Sequence, residues 1–250
     1  GTFDFWFRFS DSSHEVVTYY AYACDEFSNC VNSSFVTDIL QADQNQPPNT
    51  PYLTAPLEHA NISGTTNITW IDGLDPDLDY FNISIFLQNG SGFNWSLTSA
   101  VGNGTEYFEW DTTGYADGDY YNISIMACNG VIGCSGNDTS EGWFTIDNTK
   151  PTTFTMVTPS SNNSWTNHTY VAWNYSVVEV RPHTCFMNFW YDNATEITNQ
   201  SGSIATGSPN YCSGNETGFA EGTYRFRGWM NDTSGNSNFS VFFYHRTFDL

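Results

Sequence analysis

Residues 120–127 read Tyr-Tyr-Asn-Ile-Ser-Ile-Met-Ala, with Ile123 and Ile125 at one parity and Asn122 and Ser124 at the other. Successive side chains of an extended chain point to opposite faces, so this period of two predicts a half-buried β-strand. Asn82-Ile-Ser-Ile85 and Asn67-Ile-Thr-Trp70 repeat the pattern. Elsewhere, short runs rich in Val, Ile, Thr, Tyr, Phe and Trp alternate with Gly, Asn and Asp turns at a spacing of about 8 to 12 residues. Helical periodicity of any length is absent. The pattern predicts an all-β chain folded as two-sheet sandwiches of about 100 residues each.

The pattern also recurs. Ala23-Cys24 closes with Cys30 and Ala127-Cys128 with Cys134, and Cys24 and Cys128 are 104 residues apart. A further 104 residues leads to Asp232, in Trp229-Met-Asn-Asp-Thr-Ser-Gly-Asn236, where the hairpin keeps its turn residues and lacks cysteine. Asp117-Gly-Asp-Tyr120 aligns with Glu221-Gly-Thr-Tyr224, Pro56 with Pro159, and Trp70 with Trp173. A tandem repeat of about 104 residues accounts for all four landmarks. Proline interrupts strand pairing at Gln46-Pro-Pro-Asn-Thr-Pro51 and Asp147-Asn-Thr-Lys-Pro151, which read as short stiff linkers. The predicted units are 1–46, the back part of one repeat, then 47–150 and 151–250, each a complete repeat. On this reading Phe3-Asp-Phe-Trp-Phe7 and Val16-Val-Thr-Tyr-Tyr20 need partner strands, from upstream sequence or from a neighbouring chain.

Charged residues are only 13% of the chain, against about 25% in ordinary soluble domains. Asn, Ser and Thr must cover the surface instead, and their order carries information. Random order would place Ser or Thr two positions after Asn about 5 or 6 times. The chain has 17 such sequons, beginning at Asn32, Asn61, Asn67, Asn82, Asn89, Asn94, Asn103, Asn122, Asn137, Asn162, Asn167, Asn174, Asn193, Asn199, Asn215, Asn231 and Asn238. This excess points to N-glycosylation and hence to an extracellular or cell-surface protein. Period-two alternation places Asn82 and Asn122 outward, away from the core. The net charge of −21 repels phosphate backbones and excludes nucleic acid as a partner. No stretch approaches 18 apolar residues, so no transmembrane helix is expected in this segment.

Six cysteines in a sequon-rich chain indicate an oxidising compartment. Repeat equivalence selects Cys24 with Cys30 and Cys128 with Cys134, which leaves Cys185 with Cys212 inside the third repeat. No pair has zinc-knuckle spacing, and no Cys-x-x-Cys-His haem motif occurs. Asp75, Asp77 and Asp79 alternate near a turn and offer hard oxygen ligands to calcium; the same residues also suit a solvated turn with Asp bonding its own backbone. No catalytic constellation is evident. His14, His59, His168, His183 and His245 are scattered, and Glu106 and Glu109 flank strand aromatics on an expected sheet edge. Trp70 and Trp173 occupy equivalent strand positions, which assigns them to the core.

Pro151 to Pro159, Ser160-Ser-Asn-Asn-Ser-Trp-Thr-Asn167, Trp173-Asn-Tyr-Ser176, Cys185, Glu221-Gly-Thr-Tyr224 and Asn231-Asp-Thr-Ser-Gly-Asn236 together form a pattern. Ile62-Ser-Gly-Thr65, Ile68-Thr-Trp70, Asp75-Pro-Asp77, Asp117-Gly-Asp-Tyr120 and Phe144-Thr-Ile-Asp-Asn-Thr-Lys-Pro151 form its sister. With these residues the chain resembles the immunoglobulin-like and fibronectin-type-III-like repeats of large archaeal surface proteins. The resemblance implies surface display and N-glycosylation but no particular task, since such repeats occur in filaments, adhesins, surface layers and enzyme stalks. The expected function is a non-enzymatic structural segment of an extracellular filament, partnered by copies of itself or adjacent repeats end to end. The alternatives are the stalk of an adhesin or surface-layer protein and the accessory repeats of a secreted enzyme.

Overall fold

The computed structural model describes residues 15–19, 22–32, 34, 36–40, 46–130, 133–240 and 244–250. The described residues are all-β and form tandem immunoglobulin-like sandwiches. In the first unit Glu15–Tyr19 pairs antiparallel with Val36–Leu40, and Tyr22–Cys24 with Cys30–Asn32. Phe3 to Phe7, His14 and Tyr20 lie outside the described residues.

In the second unit the sheet Tyr107–Asp111, Thr65–Ile71, Tyr52–Ala55, in that order, faces a larger one. The larger runs Asn61–Ile62, Phe144–Ile146, Gly118–Asn129, Asn82–Asn89, Asn94–Gly102, with two short strands added on Gly118–Asn129. The third unit repeats this plan. Thr152–Thr158, Tyr170–Val178, Asn210–Thr217 and Ser203–Ala205 face Ser164–Thr166, Tyr244–Phe248, Gly222–Asp232, Pro182–Tyr191 and Glu196–Ser201. In both units the first strand changes sheets at a buried proline, Pro56 or Pro159. Beyond it a short segment pairs in parallel with the last strand: Asn61–Ile62 with Phe144–Ile146, and Ser164–Thr166 with Tyr244–Phe248. Proline lacks the N–H that a ladder needs, which accounts for a switch point there.

Alternation decides what fills each core. Ile123, Ile125 and Ala127 on one strand meet Ile83, Ile85 and Leu87 on the next, all fully buried with Trp70, Ile68 and Phe144. Tyr121 completes the set, and its hydroxyl donates to the Ala116 carbonyl at 2.7 Å. In the third unit Tyr224 donates to Ala220 at 3.2 Å, so the corner built on a tyrosine at the start of the long strand occurs in both. This corrects the sequence alignment by one residue. Tyr224 corresponds to the buried Tyr121 and not to Tyr120, which is exposed. Cys128 and Cys134, which face each other, correspond to Asn231 and Ser237, which also face each other. The true offset on this strand is therefore 103, because the inward parity of Tyr224, Phe226 and Met230 fixes the phase.

The outward face of the central strands is less open than alternation alone implies. Ser124 lies opposite Phe86 and Ser84 opposite Met126, and both serines are buried beneath these larger neighbours.

The third core is built around a disulfide between its sheets. Cys185 and Cys212, on facing sheets, are joined, and Trp173 packs beside them. Two glycines make room: a Cβ on Gly202 would lie 2.4 Å from Cys212 Sγ and 2.5 Å from Trp173, and one on Gly214 would lie 2.4 Å from the Trp173 ring. Tyr175 stacks on Trp173 and reaches across the sandwich to the Trp229 carbonyl at 2.6 Å. Burial holds its phenol well above the usual tyrosine range. Overpacking a site this tight costs about 1–3 kcal/mol, so Gly214→Ala is expected to lower the stability of the third unit by that amount in urea denaturation. An unchanged midpoint would show that Trp173 does not sit against this strand.

Candidate functional site at the repeat junction

The described residues contain one shallow cleft of note, lined by Tyr52, Leu53, Thr54, Pro56, Leu57, Ser140 and Glu141. It lacks a nucleophile paired with a base. The described histidines stand apart from one another: His59 is exposed beside Glu58, His168 packs at a tilt against Tyr170, His183 contacts Thr184, and the His245 backbone N–H donates to Asn162. Glu106 accepts from the Asp72 N–H at 3.3 Å, and Glu109 is exposed on an edge strand.

Polar side chains converge instead where one unit meets the next. The long-strand hairpin of each unit ends in a turn organised by Asp or Asn. Asp232 accepts from the Ser234 and Asn236 N–H groups at 2.8 and 2.9 Å, and from the Asn236 side-chain amide at 2.8 Å. Asp25 holds Phe27 and Asn29 with the same bonds, which keep its carboxyl below the usual range. Because Asp232 orients Asn236, that amide also reaches the linker and donates to the Asp147 carbonyl at 2.7 Å. The preceding junction has the same arrangement from different residues: Asn129 donates to the Gln46 carbonyl at 3.2 Å and to Asp75 at 3.4 Å.

The junction between the second and third units carries further ties. Arg181 of the third unit donates to Asp147 in the linker at 3.0 Å and pairs with Asp119 of the second. The Ser63 hydroxyl donates to the Ser234 carbonyl at 2.8 Å, across 171 residues of sequence, and the Asn238 amide donates to the Pro151 carbonyl at 3.0 Å. Behind Arg181, carboxylate oxygens of Asp147, Glu179 and Asp232 lie within 4.8 Å of one another, all three side chains buried. This is the group among the described residues that could hold a cation. Burial pushes the Asp147 carboxyl up, with the Asp232 charge adding and Arg181 opposing. Burial likewise raises Glu179, with Asp232 and Asp147 adding.

Asp75, Asp77 and Asp79 do not come together in that way. Asp75 is buried and accepts from the N–H groups of Asp77 and Asp79 at 3.0 and 3.3 Å, while Asp77 accepts from the Gln46 N–H. The turn thus holds its own backbone and the linker. Repeat spacing alone could not have found Asp147, Glu179 and Asp232, since they meet only when a linker, a strand end and a hairpin turn are brought together.

The three disulfides join Cys24 to Cys30, Cys128 to Cys134 and Cys185 to Cys212. Ten sequon asparagines are exposed: Asn61, Asn67, Asn94, Asn103, Asn137, Asn162, Asn167, Asn193, Asn199 and Asn215. Asn82, Asn89, Asn122, Asn174, Asn231 and Asn238 are half-buried, and the Asn32 side chain lies outside the described residues. Sequon and exposure therefore coincide best in turns and at edges.

No protein-family model and no curated protein matches the chain. Among solved structures it is similar to the chicken CNTN1 FN1-FN3 domains, at 11% identity over 88% of this chain and 70% of that one, TM-score 0.46. It is similar to the fibronectin(III)-like modules of Clostridium thermocellum CbhA, at 13% identity over 80% of this chain and 94% of that one, TM-score 0.41. A tetra-tandem repeat from the extending region of a large adhesion protein aligns at 15% identity over 94% of this chain and 57% of that one, TM-score 0.32. The assignment to tandem immunoglobulin-like sandwiches rests on this chain's own strand order, inter-sheet packing and tyrosine corners.

Arg181→Met removes the cation from a carboxylate that is almost fully buried, and breaking such a pair costs about 3–5 kcal/mol when both charges are buried. Arg181 is partly exposed, so a loss of about 2 kcal/mol is expected, together with looser inter-unit geometry in small-angle scattering. Raised carboxyls bind more protons in the folded than in the unfolded state between their unfolded values and their folded ones. Stability therefore falls as pH rises through that window. Glu179→Gln keeps an acceptor for the Arg181 N–H and deletes the charge, so it is expected to raise the melting temperature at pH 7 and leave it nearly unchanged near pH 4. A melting temperature lowered equally at both values would contradict the assignment.

Proposed function

We propose that the chain is a structural segment of an extracellular, N-glycosylated cell-surface filament, in which immunoglobulin-like units follow one another end to end. The observation that carries this reading is the junction itself. Its ties come from both units and from the linker, and two successive junctions use the same device of a hairpin amide bonded to a linker carbonyl. Such ties favour a fixed orientation between units, as a stiff fibre requires. Three disulfides fit an oxidising, extracellular setting. The partners are copies of the same chain or adjacent repeats of one polypeptide, and contacts that do not close into a ring propagate as a filament. Nucleic acid is no partner in this reading, and among the described residues no helix is long and apolar enough to cross a membrane. We assign the chain no catalytic role and no cofactor; calcium at Asp75, Asp77 and Asp79 would have to compete with the backbone N–H groups that the Asp75 and Asp77 carboxylates already hold.

Electron microscopy and light scattering of the native material test the filament. Fibres whose axial repeat matches a whole number of sandwiches are expected. A monodisperse monomer without fibres would replace the filament by an adhesin or surface-layer stalk. Intact-glycopeptide mass spectrometry tests the coat: most of the 17 sequons are expected to be occupied, and occupancy of fewer than about a third would remove it.

A further inference from the structure

The outward face of the larger sheet in the third unit combines aromatic rings with guanidinium and amide groups. Three rows of side chains cross it, set by strand register. Ser201, Phe186, Trp229 and Phe239 form one row; Asn199, Asn188 and Arg227 form the next; Glu196, Trp190, Arg225 and His245 form the third. Phe186 and Trp229 pack with ring centroids 5.0 Å apart. The Arg227 guanidinium lies 3.9 Å from the Phe239 ring centroid and 5.2 Å from that of Trp190. Desolvation lowers the Arg227 pKa, in keeping with a cation half covered by rings. Two of the chain's six basic residues thus share one sheet face with four large aromatics, in a molecule of net charge −21.

The sequon Asn199-Gln-Ser201 sits on the edge strand of this face. Asn199 is exposed, and its Oδ1 accepts a hydrogen bond from the Asn188 amide. That bond fixes the plane of the Asn199 amide while leaving Nδ2, the atom to which a sugar is joined, without a hydrogen-bond partner among the described residues. Asn238 differs, because its Nδ2 is already bonded to the Pro151 carbonyl. A sugar joined at Asn199 emerges over the Asn188–Arg227 row, with Phe186 on one flank and Trp190 on the other. The C–H face of a pyranose is apolar and stacks on aromatic rings, whereas its hydroxyls accept from amide and guanidinium donors. Rings at the flanks and donors in the middle suit both needs at once.

We propose that this face is the docking platform for the chain's own N-glycan at Asn199: the first sugars lie on Phe186 and Trp190, and Asn188 and Arg227 bond their hydroxyls. The proposal rests on the glycoprotein reading above and adds a seat for one particular glycan. A seated glycan covers half-buried rings and lends stability to the third unit, whereas a glycan on a turn such as Asp192–Thr195 projects into solvent.

The test is a comparison of melting temperatures for full-length protein made in a glycosylating and in a non-glycosylating host. Ser201→Ala removes the acceptor and leaves Asn199 and its bond to Asn188 in place. Thr195→Ala does the same at Asn193, which has no such face. In glycosylated protein Ser201→Ala is expected to lower the melting temperature of the third unit by about 4 °C, and Thr195→Ala to leave it unchanged. In unglycosylated protein neither should matter. The Ser201→Ala loss should shrink by at least half in a Trp190→Leu background, and also in Phe186→Leu should the first variant fold poorly. An unoccupied Asn199 in native material whose other sequons are occupied overturns the platform, as does an equal Ser201→Ala effect from the two hosts or a loss unaffected by both ring substitutions. Absence of glycan from every sequon overturns the glycoprotein reading itself.

Discussion

A linker running into a sandwich lies against the polar end of that sandwich, and any of its carbonyls that lose water there must find donors, as the buried Asp147 does. Left unsatisfied, a buried carbonyl such as that of Asp147 would cost about 1–3 kcal/mol. Proline supplies none, and the linkers contain Pro47, Pro48, Pro51 and Pro151. Both junctions solve this with a side-chain amide delivered by the hairpin at the end of the long strand, Asn129 in one and Asn236 in the other. Each amide is steadied by a buried aspartate, Asp75 or Asp232. The inner end of each hairpin, the linker path and the position of the next unit are therefore coupled. A close approach elsewhere in the linker has the same origin: a Cβ on Gly73 would lie 2.1 Å from the Asn49 carbonyl oxygen, so only glycine lets the linker lie against that loop.

Within a unit the two sheets are held by different means in the two described sandwiches. The second relies on Ile83, Ile85, Leu87, Ile123 and Ile125 with Ala127 on two central strands, packed without a disulfide between its sheets. Its disulfide, Cys128 to Cys134, closes the hairpin that carries Asn129 and so serves the junction more than the core. The third has larger rings, two glycines beneath Trp173 and a disulfide joining the sheets. Its hairpin has Asn231 and Ser237 where the second has cysteines, and Asp232 with Asn236 stabilises the turn by hydrogen bonds instead. Turn clip and inter-sheet clip thus exchange places between neighbouring units.

Much of this was legible from the pattern of residues. Period two gave the central strands because one face is sealed by Ile and Phe and a one-residue slip would expose all of them. Repeat spacing gave the two hairpin disulfides and left Cys185 with Cys212 as the third. The one-residue error at Tyr120 arose because two adjacent tyrosines offer the same letter, and only burial separates Tyr121, inside, from Tyr120, outside. The outward-facing serines misled for another reason. Alternation specifies a direction, whereas exposure depends on the size of the neighbours, and Phe86 and Met126 overhang Ser124 and Ser84. The junction was the least legible part. Asp75, Asp77 and Asp79 are close in sequence and looked like a cluster, but the Asp75 carboxylate holds the backbone of its own turn and the Asp77 carboxylate that of the linker; Asp147, Glu179 and Asp232 are far apart in sequence and become neighbours only through topology.

Charge placement connects these levels. With six basic residues against 27 acidic ones, most carboxylates must be satisfied by backbone N–H groups, side-chain amides and water. That explains the recurrence of Asp or Asn as the acceptor in tight turns at Asp25, Asp75, Asn89, Asp111 and Asp232. Where a guanidinium is used, backbone donors cannot do the same work. Arg181 of the third unit stands between Asp147 of the linker and Asp119 of the second unit, two carboxylates whose positions no single turn can set. Three buried carboxylates facing one guanidinium leave that region short of positive charge, which is why burial and mutual repulsion raise Asp147 and Glu179 together. The geometry between units is consequently more sensitive to charge than either core, whose stability comes from rings and branched side chains that do not titrate.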